Sequence, residues 1–285
     1  MSPYQNVERS FPRFERDHLR VMTFGSPALG GRRGDVTVFV PPGGAWQHDL
    51  PLVVLLHGVY GSHWSWALNG GAHVTARQMI ETGQICPIVL AMPSDGLWGQ
   101  GTAYLPLVSG DYERWIIDDV VGCVIENVRG LGPDSKLFLA GLSMGGYGAM
   151  RLGAKYARGV GVPRPVAGIS AHSAPSHVAQ MTAFDDNPLD LPPGTAPEEL
   201  DALHWMRRNR EHLPPLRFDC GREDKFIAAN RALHDQLVSD CIAHEFAEFD
   251  GGHTWAYWET HLRDTLLFFD RIVRGASAFA PDVRA

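Results

Sequence analysis

Leu139-Ala-Gly-Leu-Ser-Met-Gly-Gly-Tyr-Gly-Ala-Met150 is the stretch that sets the fold class. It contains Gly141-Leu142-Ser143-Met144-Gly145, a G-x-S-x-G pentapeptide. Residues 136–140 before it form a short apolar run and predict a buried parallel strand. Residues 147–156 after it have the composition of a helix. Strand, sharp turn and helix together turn the pentapeptide into a nucleophile elbow. A serine in such a turn takes a strained backbone, and a side chain at either flanking glycine would clash with a neighbouring element. The turn also aims the first N–H groups of the helix, and the positive end of its dipole, at the space beside the Ser143 hydroxyl.

Outward from this stretch, strands alternate with helices. Residues 18–24 and 35–40 predict two strands that start the sheet antiparallel, and Pro41-Pro42-Gly43-Gly44 stops the second. Residues 50–56 are densely apolar and predict a central strand, followed by a helix that ends near Gly83. Residues 85–92 predict the next strand. Apolar side chains at helical spacing predict a helix over 114–128. After the elbow come a strand at 165–171, one at 216–220, a helix at 225–239, a last strand at 244–249 and a last helix at 254–273. The Pro-, Asp- and His-rich residues 172–213, with one helix at 197–209, form an insertion or small cap after the sixth predicted strand. Residues 1–17 are expected to wrap the surface. The result is one α/β domain over 1–285, doubly wound around a mostly parallel sheet, with its site at the carboxyl ends of the strands.

The chain has 285 residues, and 45% hydrophobic content is enough for a large core. A net charge of −7 argues against nucleic acid as a partner. Met1-Ser-Pro-Tyr-Gln-Asn-Val-Glu-Arg9 has no apolar core region, and no later run is long enough to span a bilayer. A cytoplasmic protein without a membrane partner is expected. Cys86, Cys123, Cys220 and Cys241 show neither metal spacing nor a disulfide framework, so reduced, buried thiols are expected.

A serine hydroxyl needs a base to take its proton, and the base needs a partner to orient it. After an elbow serine the chain order should be acid, then histidine. Cys220-Gly-Arg-Glu-Asp-Lys-Phe226 supplies Glu223 and Asp224 just past a late strand. Asp250-Gly-Gly-His253-Thr-Trp255 supplies the histidine after the last strand, with two glycines for close approach. The oxyanion hole falls to the backbone N–H groups of Val59, in the loop after the central strand, and of Met144. His57 precedes the serine in sequence and is expected to brace that loop. No H-E-x-x-H pattern occurs, and neither a metal nor a cofactor is expected.

These pieces resemble the esterase D-like group of α/β-hydrolases, which includes S-formylglutathione hydrolases, feruloyl and acetyl-xylan esterases, tributyrin-type esterases and mycolyltransferases. The matching residues are Leu55-Leu-His-Gly58, Gly141-Leu-Ser-Met-Gly-Gly-Tyr-Gly-Ala149, Gly221-Arg-Glu-Asp-Lys-Phe226 and Gly252-His-Thr-Trp255. The resemblance implies an α/β-hydrolase fold, Ser143 as nucleophile, Asp224 as orienting acid and His253 as base. Val59-Tyr60-Gly61 stands where S-formylglutathione hydrolases usually carry a Thr-Cys pair, which argues against that substrate. Tyr60, Trp64, Trp98, Tyr104 and Trp255 are expected to form an acyl or aryl pocket. The function expected is a serine carboxylesterase acting on small acyl or aryl esters. An acyltransferase using an alcohol acceptor, or a binding protein that keeps the fold, are the rivals. Oligomeric state is not readable from these residues.

Overall fold

The computed structural model describes residues 2–95, 101–182 and 188–279. Its main sheet has nine strands: β1 (Gln5–Arg9), β2 (Leu19–Gly25), β3 (Arg33–Phe39), β4 (Leu52–Leu56), β5 (Val89–Pro93), β8 (Leu137–Leu142), β9 (Val166–His172), β10 (Leu216–Gly221) and β11 (Glu245–Phe249). β6 (Pro106–Leu107) and β7 (Gly110–Asp111) form a separate two-stranded ladder. The order across the main sheet is β1-β2-β3-β5-β4-β8-β9-β10-β11. Every pairing from β5 to β11 is parallel, and those from β1 to β5 are antiparallel.

The parallel strands are apolar on both faces because both faces are covered. Leu52, Val54 and Leu56 of β4 enter one core, while Val53 and Leu55 enter the other. Leu137 and Leu139 of β8 join the first, and Phe138, Ala140 and Leu142 the second. This is the period-two alternation of a strand, here with two apolar sides. Each such leucine, valine or phenylalanine, fully buried, contributes about 1.5–3 kcal/mol of transfer free energy. Helices α4 (Val121–Asn127), α5 (Met144–Lys155) and α7 (Ile227–Ser239) contribute to the first core. Helices α1 (Ser65–Leu68), α2 (Ala72–Glu81) and α8 (Trp255–Val273) contribute to the second.

Three local expectations are corrected. Residues 5–9 form an edge strand paired with β2 rather than a surface wrap. Their sequence, Gln-Asn-Val-Glu-Arg, has one half-buried apolar residue and so no alternation to read. The helix expected over 114–128 begins earlier, at α3 (Tyr112–Arg114), where the Asp111 carboxylate accepts the Arg114 N–H at 2.9 Å. It then passes through a π-helical run, Trp115–Val120, before α4. Trp115 is fully buried against Gly34, and its indole N–H donates to the Ser94 carbonyl at 2.7 Å. The helix expected over 197–209 is two pieces, a 3-10 turn (Pro197–Leu200) and α6 (Ala202–Arg208). Asp201 caps α6 by accepting the Leu203 N–H at 2.9 Å, which starts a new helix there.

This second region is tied to the flank of α5. Arg151, fully buried, pairs with Glu113 at 2.6 Å and with Glu199 at 2.8 Å, and Lys155 joins both carboxylates. The cysteines are all free: Cys123 and Cys220 are buried, Cys86 is half-buried, and Cys241 is exposed, unlike the expectation for it. No helix among the described residues is long and apolar enough to cross a membrane.

Candidate active site

Ser143 sits between β8 and α5 with φ 52° and ψ −122°, a left-handed conformation that costs a non-glycine residue on the order of 1–3 kcal/mol. The surroundings over-determine it. The Ser143 N–H donates to the His172 carbonyl at 2.9 Å, and its own carbonyl accepts the Tyr147 N–H at 3.0 Å. A Cβ on Gly145 would run into the Leu56 and His57 carbonyls, and one on Gly141 into the Gly145 backbone. Both glycines of the pentapeptide are therefore required by backbone contact.

Asp224 follows β10 in a turn closed by its N–H on the Gly221 carbonyl at 3.0 Å. His253 follows β11. The two loops lie backbone against backbone: the Glu223 N–H donates to the Gly251 carbonyl at 3.0 Å, and a Cβ on Gly221 would collide with that carbonyl. Gly251, at φ 120°, supplies the conformation that lets the second loop turn in. His253 Nδ1 then lies 2.9 Å and 3.1 Å from the two Asp224 carboxylate oxygens, and Nε2 lies 3.0 Å from Ser143 Oγ. With Nδ1–H donating to the carboxylate, the Nε2 lone pair faces the serine hydroxyl. The imidazole is held edge-to-face by Phe226 at 5.3 Å and by Trp258 at 4.9 Å. Burial alone would raise the Asp224 carboxyl. Hydrogen bonds from His253 and from the Phe226 N–H outweigh it and hold the group below the usual carboxylate range.

The loop after β4 reaches the same point. Gly58 packs against Leu142 and Ser143, where a Cβ would sit 2.8 Å from Leu142 Cδ1. Val59, next in the chain, lines the cleft beside Ser143, and Met144 is the first residue of α5. His57 is buried, with Nδ1 2.7 Å from the Gly58 carbonyl and Nε2 3.6 Å from Asp95.

The cleft is about 400 Å³ in volume, with Ser143 and His253 in its wall. Of the aromatic residues named from the sequence, Tyr60, Trp64 and Trp255 line it. Tyr104 does not: it is fully buried below, against Gly148, and its hydroxyl donates to the His57 carbonyl at 2.9 Å. It thus supports the β4 loop from beneath instead of meeting a substrate. Trp98 lies outside the described residues. Asn69, Leu142, Lys225 and Trp258 also line the cleft and were missed. Trp258 could have been found, because it stands one helical turn after Trp255. None of the described residues of 172–213 lines the cleft. A second groove of about 510 Å³, lined by Arg9, Phe11, Arg20 and Arg129 among others, shares no residue with it.

Behind the site lies a buried polar group centred on Asp219 of β10. Asp219 pairs with His172 at 2.9 Å and Arg217 at 2.5 Å, and it accepts the Tyr257 hydroxyl at 2.8 Å. Burial pushes its carboxyl up, but the His172 ring and the Arg217 guanidinium beside it hold it well below the ordinary value. A depressed carboxyl contributes stability that is fully present above its unfolded pKa, ~3.9, and is lost as pH falls through the folded value. Asp219→Asn leaves the buried Arg217 guanidinium without its closest counter-charge, although Glu245 remains at 3.2 Å. Urea unfolding at pH 7 is expected to show a loss of about 3–5 kcal/mol. The gap between variant and wild type should narrow below pH 4; an equal gap at pH 7 and pH 3 would contradict the assignment.

The family described as "Putative esterase" matches residues 26–269. An acetyl esterase from Caldicellulosiruptor saccharolyticus is 25% identical over 242 residues, covering 79% of this chain and 85% of that protein. Among solved structures, a ferulic acid esterase superposes with a TM-score of 0.75 at 22% identity, covering 89% of this chain and 98% of that one. An S-formylglutathione hydrolase from Agrobacterium tumefaciens superposes with a TM-score of 0.72 at 18% identity, covering 92% and 97%.

Proposed function

We propose that this chain, which belongs to the esterase family, has the α/β-hydrolase fold and is a carboxylic ester hydrolase of the esterase D-like group, works through a covalent acyl-enzyme on Ser143. The observation that carries the proposal is the unbroken hydrogen-bonded series from Asp224 through His253 to Ser143, opening on the aromatic cleft.

Ser143 Oγ attacks the ester carbonyl while His253 Nε2 takes its proton. Asp224 holds Nδ1–H, which fixes the tautomer, and its charge stabilises the imidazolium that forms. The carbonyl oxygen becomes an oxyanion beside the start of α5, where the N–H groups of Met144 and Val59 receive it. The tetrahedral intermediate collapses, and His253 returns the proton to the departing alcohol oxygen. Water then enters, gives a proton to His253 and attacks the acyl carbonyl; as the bond to Ser143 Oγ breaks, His253 returns that proton to the serine, releasing the acid and the free enzyme. Tyr60, Trp64 and Trp255 hold the acyl or aryl part of a small ester.

The test is a panel of nitrophenyl, feruloyl and acetyl-sugar esters, each with and without an added acceptor alcohol. Free acid as the product, with little change on adding the alcohol, is expected. An acylated alcohol as the main product would make acyl transfer the activity. No turnover of any ester would contradict the proposal.

A further inference from the structure

Four charged side chains stand in a row in the loop after β10, Arg222-Glu-Asp-Lys225, and three have partners in the protein. Arg222 pairs with Asp250 at 2.5 Å. The Glu223 carboxylate accepts the Gly251 N–H, which ties the loop to the one that carries His253. Asp224 holds His253. Lys225 is different. It is exposed, makes no ion pair among the described residues, and lines the cleft that contains Ser143 and His253. Its ammonium stands 5.0 Å from the centre of the Phe226 ring, and Phe226 in turn makes an edge-to-face contact with the His253 imidazole. The charge is therefore held one aromatic ring away from the base.

The rest of the cleft sharpens the contrast. Among the described residues that line it there is no Asp or Glu, and Lys225 is the one permanent cation. This occurs in a chain of net charge −7. Aromatic walls exclude part of the water around a bound ligand and so strengthen an interaction between charges. The exposure of Lys225 limits that gain to the scale of a partly solvated ion pair.

We propose that Lys225 is a specificity-determining residue that selects esters bearing a carboxylate, on the acyl or the alcohol part, over uncharged esters of the same shape. The proposal rests on the serine-esterase reading of the cleft and names its substrate class.

The experiment compares carboxylate and carboxamide partners. Methyl hydrogen glutarate against the methyl ester of glutaramic acid places the charge on the acyl side. 3-Acetoxybenzoate against 3-acetoxybenzamide places it on the alcohol side. The quantity read is the ratio of kcat/KM within each pair at low ionic strength. In wild type the ratio should favour the carboxylate in at least one pair. In Lys225→Met that ratio should fall roughly two- to fivefold. Lys225→Arg should retain it, Lys225→Glu should lower it further, and added salt should erode it in wild type. Ratios that are the same in wild type and Lys225→Met for both pairs, with the carboxamides turned over normally, would overturn the proposal. Failure of wild type to turn over any of the four while it hydrolyses nitrophenyl esters would overturn this inference alone; turnover that survives in Ser143→Ala would overturn the serine-esterase reading and this inference with it.

Discussion

Ser143→Ala is expected to lower kcat for ester hydrolysis on the order of 10⁶-fold, the size seen when a serine protease loses its nucleophile. The loss should be chemical rather than structural. Among the described residues Ser143 Oγ has one hydrogen-bond partner, His253 Nε2 at 3.0 Å, while the backbone bonds to His172 and Tyr147 persist in alanine. The left-handed φ of 52° strains alanine much as it strains serine, so the fold is not relaxed or burdened further. Thermal unfolding of the variant should match wild type. Activity within tenfold of wild type in a fully folded variant would contradict the role given to Ser143.

Asp224→Asn is the second large effect. Three carboxylates crowd the end of β10, and the structure separates them by contact. Asp219 is committed to His172, Arg217 and Tyr257, and Glu223 to the Gly251 N–H. Asp224 alone of the three reaches His253. An asparagine there is isosteric but uncharged, and it can present its NH₂ to Nδ1. The ring would then favour the tautomer with Nε2 protonated, which cannot accept the Ser143 proton. A fall in kcat on the order of 10⁴-fold with KM little changed is expected. Glu223→Gln should keep most activity, and so should Asp219→Asn per folded molecule. A dead Glu223→Gln beside an active Asp224→Asn would move the acid by one residue.

The parts of the fold legible in the sequence are those whose physics is local. Buried strands such as 52–56 announce themselves by unbroken apolar runs, and the elbow by glycines that backbone contacts demand on both sides of Ser143. The family and its α/β-hydrolase fold followed from these motifs. What stayed hidden depends on partners distant in sequence. β1 is polar because an edge strand needs only backbone pairing with β2. The π-helical run at Trp115–Val120 preserves an apolar face, so periodicity cannot distinguish it from an α-helix. Tyr104 resembles any loop aromatic until its hydroxyl is seen on the His57 carbonyl. Lys225 is one of four consecutive charges, and only the tertiary contacts of the other three single it out.

The most direct test of the central claim, that Ser143 is a nucleophile activated by His253, is covalent labelling with a fluorophosphonate followed by peptide mapping. The expected result is one adduct, on Ser143, absent from Ser143→Ala and formed far more slowly in a folded His253→Ala variant. Labelling of another residue, or labelling that persists in Ser143→Ala, would contradict it.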